Sequence, residues 1–188
     1  MRWQDLFADL ESQAEALERA ERDAEVADRS RAEQAMVELT ARLAAACGMP
    51  LALRVSGVGE ISGELENVGQ DWLLLGQEDG HEVLVLTSAV SAVRDLHRRA
   101  QADVGRSAVL ARLGVVSPLR AVARDRATVR VALRDGSQIT GTPERVGADH
   151  LDLVVHEVGE PARSTGRERV TVPFDAIAVV RTAASGWG

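Results

Sequence analysis

The chain has 188 residues, a formal net charge of −7, 45% hydrophobic residues and a mean hydropathy of −0.09. This composition supports a folded core and excludes a disordered chain, while the acidic balance argues against nucleic acid as the main partner. No run approaches the roughly 20 apolar residues of a membrane helix, and the N-terminus lacks a signal-peptide apolar region. We therefore predict a cytoplasmic protein with no membrane contact.

The N-terminal segment is predicted to be helical over residues 1–47, which contain neither Gly nor Pro and are rich in strong helix formers. Apolar residues recur at helical spacing in two blocks, separated by the polar residues 18–31. Two structures fit this pattern. One is a single long helix over the whole segment. The other is a helical hairpin that breaks before a capping box formed by Ser30 and Glu33. Gly48 suits the C-terminal cap in either case.

From residue 51 the apolar spacing changes from helical to alternating, which predicts β-strands joined by Gly-containing turns. The strand pattern occurs twice, with a loop insertion in the second copy, and we interpret this as an internal duplication. At one constant offset, 61–63 (Ile-Ser-Gly) matches 139–141 (Ile-Thr-Gly) and 68–73 matches 146–151. At a larger offset, which includes the insertion, Ala89-Val90 and Val93-Arg94 match Ala176-Ile177 and Val180-Arg181.

Several residues in each copy are similar to the motifs of the Sm-like (LSm and Hfq) family. Gly136 and Gly141 have the Gly-x4-Gly spacing of the first Sm motif, and Val180-Arg181 is similar to the second. The chain resembles this family and other SH3-like small barrels, which implies a small five-stranded barrel in each copy. The residues that carry the resemblance are Asp135, Gly136, Gly141, Val146 and 176–181 in the second copy, and Gly63, Val68 and 90–94 in the first. The family's base-contacting Asp and Asn would align with Gly147 and Leu151, or with Gly69 and Leu73, so base recognition is not implied.

The predicted fold class is α+β, with a long N-terminal helix or helical hairpin followed by two small five-stranded Sm-like or SH3-like barrels. The predicted domains are a helical segment (1–48), a first barrel (49–96), an Arg-rich linker with a short helix (97–127), a second barrel (128–183) and a tail (184–188).

The first predicted barrel has apolar side chains on both faces of its strands. Leu73, Leu75, Val83 and Val85 form the inward set, and the candidate interface on the outward side consists of Trp72, Leu74, Leu84 and Leu86. Strands that are apolar on both faces are normally covered on both faces. We expect the N-terminal helix, the second barrel or another subunit to provide the cover.

The linker concentrates basic residues, with seven Arg and two acids over 97–127. These residues are Arg98, Arg99, Arg106, Arg112, Arg120, Arg124 and Arg126. One interpretation is a patch that contacts phosphate groups, as a nucleic-acid binder requires. The other is that they offset the acidic charge of the first barrel and the helix. No aromatic residues lie among them, so stacking on bases is not supported.

Few residues suggest catalysis or metal binding. His150, Asp152 and His156 share one face of a predicted strand, but their spacing defines no metal geometry. Nothing in the sequence positions Cys47, His81 or His97 for nucleophilic chemistry. The single cysteine also excludes an internal disulfide. We therefore predict no enzyme activity and no cofactor or metal. The predicted function is a scaffold or adaptor that binds a protein partner or self-associates, and the alternative is RNA or other nucleic-acid binding through 98–126.

Overall fold

A computed structural model describes residues 38–78, 80–96, 110–155 and 168–182. The elements named here belong to one compact unit that begins at Leu39. The two α-helices of the described residues are α1 (Leu39–Ala44) and α2 (Val116–Arg124). The strands are β1 (Pro50–Val55), β2 (Gly59–Val68), β3 (Trp72–Gly76), β4 (Glu82–Leu86), β5 (Val90–Arg94), β6 (Val129–Leu133), β7 (Gln138–Val146), β8 (His150–Val155), β9 (Arg169–Pro173) and β10 (Ile177–Thr182).

These strands form one antiparallel sheet in the order β5-β1-β2-β3-β4-β10-β6-β7-β8-β9. The predicted fold of two separate barrels after a long helix is therefore wrong. The sheet is continuous because β4 of the first half pairs with β10 of the second, which satisfies the backbone groups along an edge that would otherwise be open. The helix that precedes β1 has six described residues. Residues 1–37 of the long helix or hairpin predicted over 1–47 lie outside the described residues.

The strand segments follow the alternation of apolar and polar residues. In β1, Leu51, Leu53 and Val55 are buried while the residues between them are more exposed, because successive side chains of a strand point to opposite faces. β3 and β4 do not follow this alternation. Four of the five residues of β4 and three of the five residues of β3 are buried. Both faces of these two strands are therefore covered.

The two halves of the sheet share the same strand order and the same irregularities. β2 and β7 each contain a β-bulge, at Glu66 and at Glu144. The backbone N–H of Gly69 donates to the Trp72 carbonyl at 2.8 Å, and Gly147 donates to His150 in the same way at 2.9 Å. These features fall at equivalent places, so each residue in one half can be assigned an equivalent in the other. The offset that relates Ile61 to Ile139 applies through β3. The larger offset, which relates Ala89 to Ala176, applies from β4 onward.

The buried side chains divide into two hydrophobic clusters. The first cluster packs residues of the first half with α1 and also includes Ala132, Ala178 and Val179 from the second half. The second cluster packs residues of the second half with Val115 and Leu119 and also includes Trp72, Leu84 and Leu86 from the first half. Each cluster therefore contains residues of both halves, and the two halves share their core.

One pair of equivalent positions carries opposite charges in the two halves. Arg169 at the start of β9 forms an ion pair with the bulge residue Glu144, with Nε and Oε2 2.9 Å apart. The equivalent of Arg169 in the first half is Glu82, which lies beside the bulge residue Glu66. Burial raises the pKa of Glu66, and the neighbouring carboxylates of Glu82 and Glu64 raise it further. The first half therefore has a repulsive pair where the second half has an attractive one.

We expect Glu82→Arg to stabilise the protein at neutral pH by copying the arrangement of the second half. The gain should be of the order of the 0.2–1 kcal/mol typical of exposed ion pairs. A carboxyl whose folded-state pKa is raised loses its contribution to stability as pH rises through that pKa, so the gain should be larger at pH 7 than at pH 4. Chemical denaturation at both pH values measures it. Glu78→Arg, at an exposed turn, is a matched control, and an equal gain there would contradict the pairing.

Candidate functional site: the strand junction and the open edges

The two halves meet at a short antiparallel junction between β4 and β10. Val179 lies opposite Val85, Val180 opposite Leu84, and Arg181 opposite Val83. β10 also pairs with β6, so the last described strand lies in the interior of the sheet. The junction thus joins the fourth strand of one half to the fifth strand of the other.

Alternate residues of the junction belong to different hydrophobic clusters. Val83 and Val85 lie in the first cluster and are fully buried, whereas Leu84 and Leu86 lie in the second. On β10, Val179 belongs to the first cluster and Ile177 and Val180 to the second. The apolar residues on both faces of β4 are explained by this position between the two clusters.

A loop of the first half also binds the segment that leads into α2. The indole N–H of Trp72 donates to the Leu113 carbonyl at 2.9 Å, and the backbone N–H of Gln70 donates to the same oxygen at 3.1 Å. The Asp71 carboxylate accepts the backbone N–H of Val115 at 2.7 Å. Three hydrogen bonds therefore fix residues 113–115 against the loop that precedes β3.

The turns after β1 and after β6 approach each other closely. A Cβ atom placed on Gly57 would lie 2.5 Å from the carbonyl oxygens of both Leu133 and Arg134, and the φ angle of Gly57 is +72°. The Arg134 guanidinium, through Nη2, donates to the Ser88 hydroxyl. The halves are thus joined by a turn contact in addition to the strand pairing and the loop.

The structure places the predicted interface residues at this junction. Trp72, Leu84 and Leu86 are buried, and Leu74 is half-buried against the second cluster. Their cover is the second half of the same chain, so they are not an exposed surface for another protein.

Two strands of the described sheet pair on one side only. β5 pairs with β1, and β9 pairs with β8. By the equivalence of the halves, β9 corresponds to β4, and β5 corresponds to β10. The open edges are therefore the same two strand types that meet at the junction. The outer residues of β9 are more polar than those of β4, because Thr171 and Pro173 stand in the places of Leu84 and Leu86.

An open groove lies beside β5. It has a volume of about 310 Å³ and is lined by Leu39 and Arg42 of α1 and by residues 90–93 and 95–96. Leu39 is 45% exposed, and Arg42 donates from Nη2 to the Leu96 carbonyl at 3.1 Å. In the second half, Val115 and Leu119 of the α2 region and Ile177 and Val180 of β10 share one cluster with Trp72, Leu84 and Leu86.

The loop before β8 has an Asp residue at the same position as the loop before β3, but a His residue replaces the Trp residue that follows. Asp149 is the equivalent of Asp71, and His150 is the equivalent of Trp72. The side chains of Asp149 and His150 are 89% and 36% exposed, and the His150 Nδ1 lies 2.8 Å from an Asp149 carboxylate oxygen. This hydrogen bond lowers the pKa of Asp149. Asp149 is thus exposed and bonded to the adjacent His150, whereas Asp71 accepts from Val115, which precedes α2.

The candidate nucleic-acid residues are only partly described. Arg98, Arg99 and Arg106 lie outside the described residues, whereas Arg112, Arg120, Arg124 and Arg126 are exposed. Arg120 and Arg124 are one helical turn apart on α2 and border a shallow hollow of about 560 Å³ beside Leu113 and Gly114. The structure therefore brings two of the four described arginines together at one hollow.

The residues considered for metal binding or catalysis are dispersed. Over the described ranges no three His, Cys, Asp or Glu side chains are grouped as a metal site would need. Asp152 accepts the Thr171 hydroxyl at 2.6 Å, and His156 and His97 lie outside those ranges. Cys47 packs against the first cluster, and burial raises the pKa of its thiol. His81 is exposed in the turn before β4.

Two contributors to the junction were not found from the sequence. The segment 113–115 has no distinctive composition, and its role depends on backbone groups that any residue supplies. The Gly57-Val58-Gly59 pattern predicts a turn, but nothing in it indicates contact with a distant turn of the second half.

Comparison of the chain with models of known protein families, with curated proteins and with solved structures found no match. The resemblance to Sm-like barrels therefore stays a prediction. Among the helices that the structure describes, none has the length and apolar character needed to cross a membrane.

Proposed function

We propose that the protein is a non-enzymatic binding or assembly module that receives protein partners at its open sheet edges, β5 and β9. The observation that carries this proposal is the junction of β4 with β10, in which the same two strand types already join one half of the chain to the other. The two halves of the chain are already joined by pairing of these strand types. The same strand types at the open edges are therefore suited to pair with a strand of another protein.

The chemistry of the edges supports the proposal. An edge strand presents unpaired backbone N–H and C=O groups, and an added strand gains main-chain hydrogen bonds there. Pockets beside the edge then select the side chains of the added strand. The groove next to β5, with exposed Leu39 on one side and residues 90–93 on the other, is such a pocket.

We expect photo-crosslinking in cells, from a photoreactive amino acid incorporated within residues 90–94 or 169–173, to capture a protein chain, with the crosslinks identified by mass spectrometry. Ala92→Glu should abolish the crosslinks at β5, because it places an unpaired charge on an exposed edge position. Ser62→Glu is the matched control, since Ser62 is also exposed but lies on the interior strand β2. If neither edge acquires crosslinks, or both variants act alike, the proposed function is refuted.

The second candidate function is binding of RNA or another nucleic acid. The observation that favours it is the pair of exposed arginines, Arg120 and Arg124, beside one hollow on α2. Three further arginines precede them in the sequence, over 98–106. Guanidinium groups bind phosphate oxygens in a bidentate manner, and such contacts supply most of the affinity of a non-specific binder.

If nucleic acid binds here, Arg120→Ala combined with Arg124→Ala should weaken the binding of a single-stranded RNA. It should also make the plot of log affinity against log salt concentration less steep. The slope should fall by up to about one for each arginine removed, because fewer counterions are released on binding. Fluorescence anisotropy at two salt concentrations measures both effects. Arg145→Ala removes an exposed arginine on β7 and serves as the control. RNA that does not bind at low salt, or that binds all three proteins equally, would exclude this surface.

A further inference from the structure

The turn contact between the two halves contains a pair of polar side chains. Ser88 is an exposed residue of a short 3-10 helix (Thr87–Ala89) between β4 and β5. Arg134 directly follows β6 in the second half, and its guanidinium donates through Nη2 to the Ser88 hydroxyl. This hydrogen bond therefore joins the halves at a place that another protein can reach.

Both side chains extend from backbone that is held in place. The N–H of Arg134 donates to the Ala176 carbonyl at 2.9 Å. The carbonyl oxygen of Arg134 lies against Gly57, where an added Cβ would be only 2.5 Å away. Ser88 precedes Ala89, which is buried in the first cluster. The serine hydroxyl and the guanidinium are thus brought together by the fold itself.

The Arg134 guanidinium has a second donor that Ser88 does not satisfy. Its Nε is buried and has no hydrogen-bond partner among the described residues. Nε and Nη2 form one edge of a guanidinium, and this edge suits two acceptor oxygens side by side. Arg169 uses the same edge in this chain, because its Nε and Nη2 donate to the two carboxylate oxygens of Glu144 at 2.9 and 3.3 Å. At Arg134 a single hydroxyl oxygen occupies a place that fits two oxygens of one anion.

The second half carries a negative charge at the position equivalent to Ser88. The offset that relates Ala89 to Ala176 relates Ser88 to Asp175, which lies in the matching 3-10 helix (Phe174–Ala176) and is exposed. This position of the fold therefore accepts an anionic group. A phosphorylated serine carries a charge of about −1.5 to −2 and three strong acceptor oxygens, so it supplies both the charge and the missing acceptor.

We propose that Ser88 is a phosphorylation site and that Arg134 binds its phosphate group through the Nε and Nη2 edge of the guanidinium. The phosphoryl donor is a nucleoside triphosphate used by a protein kinase. The Ser88 oxygen forms a bond to the γ-phosphorus, and the bond from that phosphorus to the oxygen bridging the β- and γ-phosphates breaks. The hydroxyl proton passes to a base of the kinase, and a nucleoside diphosphate leaves.

The modification strengthens the contact between the halves. It replaces one hydrogen bond from Arg134 with a charge-assisted, bidentate pair, and it gives the buried Nε an acceptor. The inference does not rest on the proposed function, because it concerns the turns at Ser88 and Arg134 rather than the backbone groups of the open edges.

Mass spectrometry of the full-length chain, isolated from the cells that express it naturally, tests whether the modification occurs. Cleavage after arginine releases the peptide 55–94, which contains Ser88. We expect part of this peptide to carry one added phosphate group, with fragment ions that place it on Ser88 rather than on Thr87 or Ser91. If Ser88 is always unmodified, in growing and in resting cells alike, the proposal is overturned.

Phosphoserine incorporated at position 88 of the full-length chain tests the contact with Arg134. A neighbouring guanidinium favours the doubly charged phosphate, so its second pKa, followed by phosphorus NMR, should lie below the roughly 6 of a free phosphoserine. Arg134→Gln should return this pKa towards the ordinary value. Phosphoserine at position 62 is the matched control, because Ser62 is exposed on β2 between Glu60 and Glu64 and its phosphate should titrate at or above that value. Equal pKa values at positions 88 and 62 would contradict the contact.

Urea denaturation of the same proteins measures the effect on the junction. Phosphoserine at position 88 should lower the equilibrium constant for unfolding by roughly three- to tenfold, and it should have no such effect in the Arg134→Gln chain. Free inorganic phosphate should leave the unmodified chain unchanged. An equal gain from free phosphate would show that Arg134 binds a free anion, and this outcome would refute covalent modification as the source of the phosphate.

Discussion

Trp72→Ala is expected to lower the free energy of unfolding by about 3–5 kcal/mol, the range for truncation of a large buried aromatic residue. Trp72 is 4% exposed and lies in the second cluster, although it belongs to the first half of the chain. The substitution leaves a cavity between the halves and removes the indole donor to the Leu113 carbonyl. Since domains are stable by only about 5–15 kcal/mol, the variant should unfold at much lower denaturant concentration.

The second half contains the matched control for this substitution. His150 occupies the position equivalent to Trp72 but is partly exposed, so His150→Ala should change the stability by less than about 1 kcal/mol. Trp72→Phe keeps an apolar ring but removes the donor and part of the ring volume, and it should have an intermediate effect. Urea denaturation followed by circular dichroism compares the three variants. Equal effects of Trp72→Ala and His150→Ala would show that the junction does not hold the halves together.

Gly57→Ala is expected to cost roughly 2–5 kcal/mol, even though it adds a single methyl group in a turn. The left-handed backbone at φ +72° disfavours a residue with a Cβ by about 1–2 kcal/mol. The new Cβ would also lie 2.5 Å from two backbone carbonyl oxygens of the second half, which cannot move aside as a flexible side chain can. Overpacking of this kind typically adds about 1–3 kcal/mol.

Gly59→Ala separates the two contributions to the Gly57 effect. Gly59 begins β2 directly after the same turn and has a φ angle of +97°, but a Cβ added there would meet nothing within 4 Å beyond its chain neighbours. It should therefore show only the backbone cost. Thermal unfolding by calorimetry, with both variants and the unaltered chain, gives the difference. If the two variants lose the same stability, the turn of the first half does not contact residues 133–134 in solution.

Local structure was largely predictable from the sequence, whereas the connection between the halves was not. Alternation marked the strands, and the set Leu73, Leu75, Val83 and Val85 lies together in the first cluster. Matching of 61–63 with 139–141 indicated two similar strand sets. These signals are local, since they depend on the period of a strand and on the types of residue in a turn.

The continuous sheet could not be predicted because a barrel and an open sheet require the same alternation in each strand. The only signal was the apolar outward set of the first half, which requires cover but does not specify its source. That cover comes from α2 and β10, which follow much later in the sequence. The docking of Asp71 and Trp72 onto 113–115 likewise depends on backbone groups, which no side-chain pattern reveals.

The central position of β10 has a consequence for the synthesis of the protein. β10 is the last of the described strands to leave the ribosome, yet it lies between β4 and β6. Until residues 177–182 emerge, β4 has an open edge and the apolar side chains of Leu84 and Leu86 lack their final cover. Pairing over such a sequence separation is slow, and exposed apolar edges favour aggregation of nascent chains. Premature termination shortly before β10 would therefore release a chain that lacks the strand pairing between its two halves.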